Sequence, residues 1–217
     1  MKKTKLVILG LMVACGMNVN AQWGTGGNNA PMTALNSGDI STLDNVKAVN
    51  IIYDYSNLGV GAFRKEEDYI AKRSEELEAK EKGSSEKFKK DWVDARKRRY
   101  EPKFEELFKK TGTNEIDMDG TNYATSNDVT LVVHTIFIEP GTNIGVYKKP
   151  AFVDMECTFK DKSGKELCVF YVKNAVGSQA MGFDYAVEAR VLESYAKGAK
   201  MLALAIKKER KNAKKKK

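Results

Sequence analysis

From residue 46 onward the chain switches between two hydrophobic periods. Val49, Ile51, Tyr53 and Tyr55 alternate with Ala48, Asn50, Ile52 and Asp54, the period of a strand with one buried face. Asn57-Leu58-Gly59-Val60-Gly61 ends it as a turn. The stretch 64–110 is different: 29 of its 47 residues are charged, 16 basic and 13 acidic with the signs mixed. Such a segment is a packed helix only where apolar residues line one side. Its first part has a thin stripe, Ile70 and Leu77, and Gly83-Ser84-Ser85 breaks it, with Ser85 placed to cap a second helix. The second part has a strong stripe of Phe88, Trp92, Ala95, Tyr100, Phe104, Leu107 and Phe108. Pro102 has no amide hydrogen and crowds the turn before it, so a kink or restart is expected at residues 100–102. Gly112 closes the element.

Three strands follow in the pattern: Val129–Ile138, Ala151–Phe159 and Glu166–Lys173. Pro140-Gly141 separates the first two, and Asp161-Lys162-Ser163-Gly164 turns the second into the third, Gly164 suiting a left-handed position. Residues 174–183 read as a glycine-containing loop. Asp184 is placed to cap a last helix with Val187, Val191, Tyr195, Ala199, Leu202 and Ile206 on one side. The predicted order is β-α-α-β-β-β-α, an α+β fold with a mainly antiparallel sheet of about four strands and helices packed on one face.

Cys157 and Cys168 flank the Asp161–Gly164 turn. Pairing Asp161 with Lys165 sets Phe159 opposite Leu167, Cys157 opposite Val169, Met155 opposite Tyr171, and Lys160 opposite Glu166. In that register the two sulfurs point to opposite faces, which predicts two reduced thiols. A shift of one residue would allow a disulfide but would set Phe159 against Glu166.

The amino-terminal end carries a different signal. Met1-Lys2-Lys3-Thr4-Lys5 is a positive start, Leu6–Met17 an apolar run, and Val19 and Ala21 small residues before Gln22. This three-part pattern predicts a secretion signal over residues 1–21, cleaved between Ala21 and Gln22. Cleavage before Gln resembles exported proteins of Bacteroidetes-type bacteria. A rival reading takes Met12-Val13-Ala14-Cys15 as a degraded lipobox with Cys15 lipidated. The apolar run is shorter than the roughly 20 residues of a membrane span. Residues 22–45, rich in Gly, Asn, Ser and Thr, are expected to be a flexible leader. The single domain then covers 46–206, with a basic tail at 207–217.

Charge changes the picture only by what it removes. The whole chain has 37 basic and 29 acidic residues, a net of +8. The signal holds three of the lysines, and residues 207–217 hold eight basic groups and one acid. The remaining 22–206 carries 26 basic and 28 acidic groups, a net of −2. A body so close to neutral has no field to hold a phosphate backbone, so nucleic acid is excluded as a partner.

Little catalytic chemistry stands out. His134 is the one histidine, so a zinc site rich in histidine is excluded and a strand position is the plain reading. Glu115-Ile116-Asp117-Met118-Asp119-Gly120 has carboxylates spaced like the start of a calcium loop, but the twelfth position is Ser126 where a bidentate Glu is needed. Gly59-Val60-Gly61 lacks the third glycine of a phosphate cradle. Arg96-Lys97-Arg98-Arg99 sits among Asp91, Asp94 and Glu101 and reads as a solvated helix face. Lys214, Lys215, Lys216 and Lys217 are candidates for contact with an anionic surface, against the alternative of a frayed solubilising end. Tyr53, Tyr55 and the 174–183 loop are candidates for a recognition surface.

The run Val132-Val133-His134-Thr135-Ile136-Phe137-Ile138-Glu139-Pro140-Gly141, then Asp154, Lys162-Ser163-Gly164-Lys165 and an amphipathic last helix, resembles an uncharacterised domain family of secreted proteins and lipoprotein domains from bacterial cell envelopes. That family is similar to the amino-terminal domain of TolB and to curli-secretion-channel-like α+β domains. The resemblance spans about residues 46–206, and the charged helices depart from it. It implies no catalytic residue and no cofactor. The expectation is a non-enzymatic periplasmic, outer-membrane-associated or extracellular protein that binds a partner protein or surface component. It has no transmembrane span but could touch a membrane peripherally. The alternatives are a hydrolase working through Asp or Glu, and an anionic-surface binder using the lysine end. Partner identity and oligomeric state are left open.

Overall fold

A computed structural model of the chain describes residues 30–44, 46, 48–112, 129–177 and 186–216. Cys15, Ala21, Gln22, the acidic segment 115–120, Asp184, Lys217 and most of the 174–183 loop lie outside them. The elements are β1 (Met32–Gly38), a 3-10 turn (Ile40–Leu43), β2 (Asn50–Asp54), β3 (Gly59–Val60), α1 (Glu66–Glu78) and α2 (Ser84–Ala95). A π-helical segment (Arg96–Tyr100), α3 (Glu101–Gly112) and β4 (Val129–Glu139) come next. Then come a small hairpin of β5 (Thr142–Asn143) and β6 (Lys148–Lys149), β7 (Phe152–Asp161), β8 (Glu166–Val176) and α4 (Val187–Lys216).

The main sheet runs β1-β8-β7-β4-β2, with β3 also on β4. The α+β class stands, but the count of four strands and the simple order do not: six strands join this sheet, and it is mixed. β2 and β3 lie parallel to β4, while β4, β7, β8 and β1 are antiparallel neighbours. Parallel neighbours need a long crossover, and the helices between residues 66 and 112 supply it. Gly59-Val60, expected as part of a turn, pairs with Phe137 and Ile138 instead.

Order also begins earlier than the expected end of the leader. Met32–Gly38 forms an edge strand on β8, and Leu35 packs against the core. The Asp39 carboxylate then accepts from the Ser41 amide at 2.8 Å and the Ser41 hydroxyl at 2.7 Å, capping a turn that buries Ile40 and Leu43. With Met32, Leu35, Ile40 and Leu43 scattered among small and polar residues, the segment reads as a linker. Gly38 makes the exit from β1 feasible. Its φ is +84°, and a Cβ there would sit 2.2 Å from the Leu167 carbonyl oxygen.

α4 covers one face of the sheet. Of the predicted stripe, Val191, Tyr195, Ala199, Leu202 and Ile206 are at most 1% exposed, and Val187 is half-buried against the core. Gly198 lets the helix come close: a Cβ at that position would meet the Met155 side chain at 3.2 Å and Ala175 at 3.6 Å. The strands place Leu131, Val133, Met155, Cys157, Phe159, Phe170 and Val172 in the same buried core.

The β7–β8 register differs from expectation by one residue. Lys160 faces Glu166 as predicted, but a bulge follows, so Phe159 faces Cys168 and Cys157 faces Phe170. Both cysteines therefore lie on the buried side, not on opposite faces. They are free. As diagonal neighbours their backbones are about 7–8 Å apart, beyond ordinary disulfide reach.

Gly38→Ala is expected to destabilise the protein by about 2 kcal/mol, because both the left-handed backbone and the close carbonyl oppose a side chain. A urea titration followed by circular dichroism checks this. A shift confined to experimental error would mean that β1 can detach without loss.

Candidate functional site

The strong helical stripe contains an irregular step. Trp92 to Ala95 is three residues, but Ala95 to Tyr100 is five, and all three are buried. A regular α-helix cannot hold Ala95 and Tyr100 on one face. The π-helical turn at Arg96–Tyr100 absorbs the extra residue and lets the helical path continue through Pro102 without a break. Tyr100 thereby stacks on Tyr195 of α4, with ring centres 5.1 Å apart and planes at 11°.

The same turn aims Arg96 into a polar cluster. Its guanidinium pairs with Glu66, the first residue of α1, and both side chains are nearly buried at 16% and 14% exposure. Glu66 also accepts from the Trp92 indole. Arg96 lies over the Tyr55 ring, 4.2 Å from its centre. The Tyr55 hydroxyl donates to Glu101 at 3.3 Å, and the Tyr53 hydroxyl donates to the Glu101 carbonyl at 3.1 Å and lies 3.5 Å from the Glu105 carboxylate. Tyr195 shares a 2.8 Å hydrogen bond with Thr135. Burial raises the Glu101 carboxyl above its ordinary value, while the Tyr55 hydrogen bond works against that shift. Tyr53 and Tyr55, candidates for a recognition surface, instead anchor α3 and the π turn to the sheet.

The sheet face turned away from α4 carries a second constellation. Register places Asp54, His134, Glu156 and Tyr171 side by side on β2, β4, β7 and β8. His134 Nε2 lies 2.9 Å from the Ser56 carbonyl oxygen, so that nitrogen carries the proton. The Ser56 amide and hydroxyl donate to Asp54 at 2.8 and 3.0 Å. The Ser56 backbone bond is the main cause holding the Asp54 carboxyl below its ordinary value. Tyr171 bonds to Glu156, which raises the phenol. Next to this row, Ile52 is 54% exposed beside half-buried Val132.

Ser, His and Asp meet here, but not as a nucleophilic triad. The serine hydroxyl donates to the aspartate and the histidine to a carbonyl, so the serine-to-histidine link of a triad is not made. Among the described residues, no group of three His, Cys, Asp or Glu side chains could hold a metal ion.

The remaining sequence candidates fall in separate places. Arg96 is buried in its ion pair. Arg98 reaches Asp91 at 3.4 Å and Arg99 reaches Glu188 at 3.6 Å, so only part of that basic run is a solvated face. Ser85 does not cap α2. The Glu78 carboxylate accepts from the Gly83 and Ser85 amides at 2.8 and 3.2 Å and does that work from the preceding helix. The basic tail is not a separate segment, because α4 runs to Lys216. Arg210 is 6% exposed, and its guanidinium donates to the Leu43 carbonyl. Lys214, Lys215 and Lys216 form the exposed last turn, where cations offset the partial negative charge of the helix end. No described helix is long and apolar enough to cross a membrane.

The chain matches no family model, no curated protein and no solved structure.

Two outcomes follow from these surroundings. Arg96→Met should cost about 3 kcal/mol by stranding Glu66 without its counter-charge. Adding Glu66→Gln should restore part of that loss, and urea midpoints of the single and double variants read it. Burial pushes the Cys168 thiol up to about 12 and raises Cys157 further. Neither should react with iodoacetamide in the folded protein at mildly alkaline pH, and both should react once urea unfolds it. Mass spectrometry of the trapped protein distinguishes the two.

Proposed function

We propose that the chain works outside the cytoplasm as a non-enzymatic protein that binds a partner protein or surface component of the cell envelope. The contact surface is the sheet face turned away from α4. One observation carries the reading: four adjacent strands set Asp54, His134, Glu156 and Tyr171 in one row, oriented by their own hydrogen bonds and flanked by exposed Ile52. A row of polar groups with one aromatic ring and an apolar neighbour offers several fixed contacts to an incoming surface. The hydrogen bonding of Ser56 and His134 supports binding over acyl-transfer chemistry. Export itself rests on the pattern of residues 1–21.

A hydrolase reading has one observation in its favour. Glu101 has a carboxyl raised by burial, and Glu105 lies one helical turn away, near the same Tyr53 hydroxyl. Two neighbouring carboxyl groups, one of them raised, are the components of acid–base hydrolysis. Turnover of a model glycoside or ester that Glu101→Gln abolishes would select this reading. The lysine-end reading predicts instead that replacing Lys214–Lys216 with glutamine alone removes binding to anionic surfaces.

Under the binding reading, His134→Ala and Tyr171→Ala should each weaken retention by immobilised envelope extract about tenfold, the scale of a central contact residue. Thermal unfolding should barely move, because both side chains sit on the outer face. Retention equal to that of the unaltered protein would remove this face from consideration. Fractionation that leaves the native chain in the cytoplasm with Met1 in place would remove the envelope itself.

A further inference from the structure

Seven large apolar side chains are strongly exposed among the described residues, and three of them fall within four positions: Ile144 at 68%, Val146 at 101% and Tyr147 at 57%. They form the tip of the β5–β6 hairpin. Single exposed apolar residues are ordinary, but a cluster at the end of a projecting element is not. Turn tips normally hold Gly, Asn, Asp or Ser. Here only Gly145 is of that kind; its φ is +84° and nothing lies within 4 Å of where a Cβ would be.

The tip is held firmly from below. The Ile144 amide donates to the Tyr147 carbonyl at 3.1 Å, and Gly145 donates to the Asn143 side chain at 3.1 Å. At the base, Lys149 pairs with Glu139 at 2.7 Å. Arg190 of α4, 5% exposed, donates to the Pro140 and Gly141 carbonyls at 3.1 and 3.3 Å. A buried arginine spent on the carbonyls of a hairpin base fixes the direction in which the tip points.

We propose that this hairpin is a membrane finger that inserts Ile144, Val146 and Tyr147 into the interfacial zone of an anionic phospholipid bilayer. The inference deepens the envelope-binding reading by naming a second component, the lipid surface, and the residues that meet it. Three features favour lipid over a protein pocket. Val146 is exposed on every side, so a medium that closes around the tip fits it better than one facing surface. Tyr147 has the apolar body and polar end that suit the headgroup boundary. Lys148 follows it directly and is exposed, at the level where lipid phosphates lie. The tip stands two to three residue steps beyond the base, about 7–10 Å, which matches the depth of interfacial insertion. The hairpin is also remote from the lysine end: Arg190 and Lys214 are 24 residues apart on α4, roughly 36 Å.

The test uses the protein as processed by and purified from its host cells, floated with phosphatidylcholine vesicles containing phosphatidylglycerol. The unaltered protein should float, and I144S/V146S/Y147S should lose about tenfold or more in vesicle affinity. K214Q/K215Q/K216Q should change it by less than about twofold. As a second measurement, V146W should gain tryptophan emission that moves to shorter wavelength when vesicles are added. The proposal is overturned if the unaltered protein does not float, if the serine variant floats equally, if the emission gained in V146W does not shift, or if Tyr147 is needed only for capture of a protein without vesicle binding. Any of these would leave the sheet-face reading to be decided by envelope retention of Tyr171→Ala.

Discussion

Where α4 crosses β7 and β8, Gly198 has no side chain, and the helix backbone comes down onto Met155 and Ala175. The stripe from Val191 to Ile206 can then close over the sheet's apolar side. Burying that side is the main driving force available to a body of this size. The rest of the architecture follows from this closure. Tyr195 on the same stripe stacks on Tyr100 and bonds to Thr135, which brings α3 and the π turn against the sheet. Arg190 and Arg210, near the two ends of the helix, reach backbone carbonyls at opposite margins of the fold. A helix anchored near both ends in this way holds the turn after β1 and the β5–β6 hairpin in one frame.

Much of this was legible in the chain. The alternations at Val49–Tyr55 and Val129–Ile138, the α4 stripe and the Asp161–Gly164 turn each obey a single local period or turn rule, and local rules are what a sequence displays. The failures share a cause: each depends on a partner distant in sequence. β1 has little apolar content of its own and is a strand because β8 offers an edge. The parallel pairing of β2 with β4 cannot be read from either strand. The β7–β8 bulge moved Cys168 to the buried side, although the turn beside it was read correctly. The five-residue step from Ala95 to Tyr100 was a visible signal of the π turn; the expected kink at Pro102 pointed to the right place for a different reason.

The candidate site was less legible for the same reason. His134 could be assigned to the less buried face, but its neighbours Asp54, Glu156 and Tyr171 come from three other strands and are far apart in sequence. Tyr53 and Tyr55 could be seen as unusual but not placed, because their partners Glu101 and Arg96 belong to the charged helices. In that densely charged stretch, composition hides which charges matter. Lys72–Glu75 and Lys103–Glu106 are surface pairs of small energetic weight, whereas Glu66–Arg96 is nearly enclosed and ties α1 to the π turn.

The position of α4 after every strand of the sheet has a consequence for the order of events during synthesis. Until the thirty residues of α4 have been made, the sheet has no lid, and Phe170, Met155 and Leu131 remain wet. Segments far apart in sequence must also meet, since Arg210 grips the carbonyl of Leu43. A nascent chain therefore stays loose until α4 has been made.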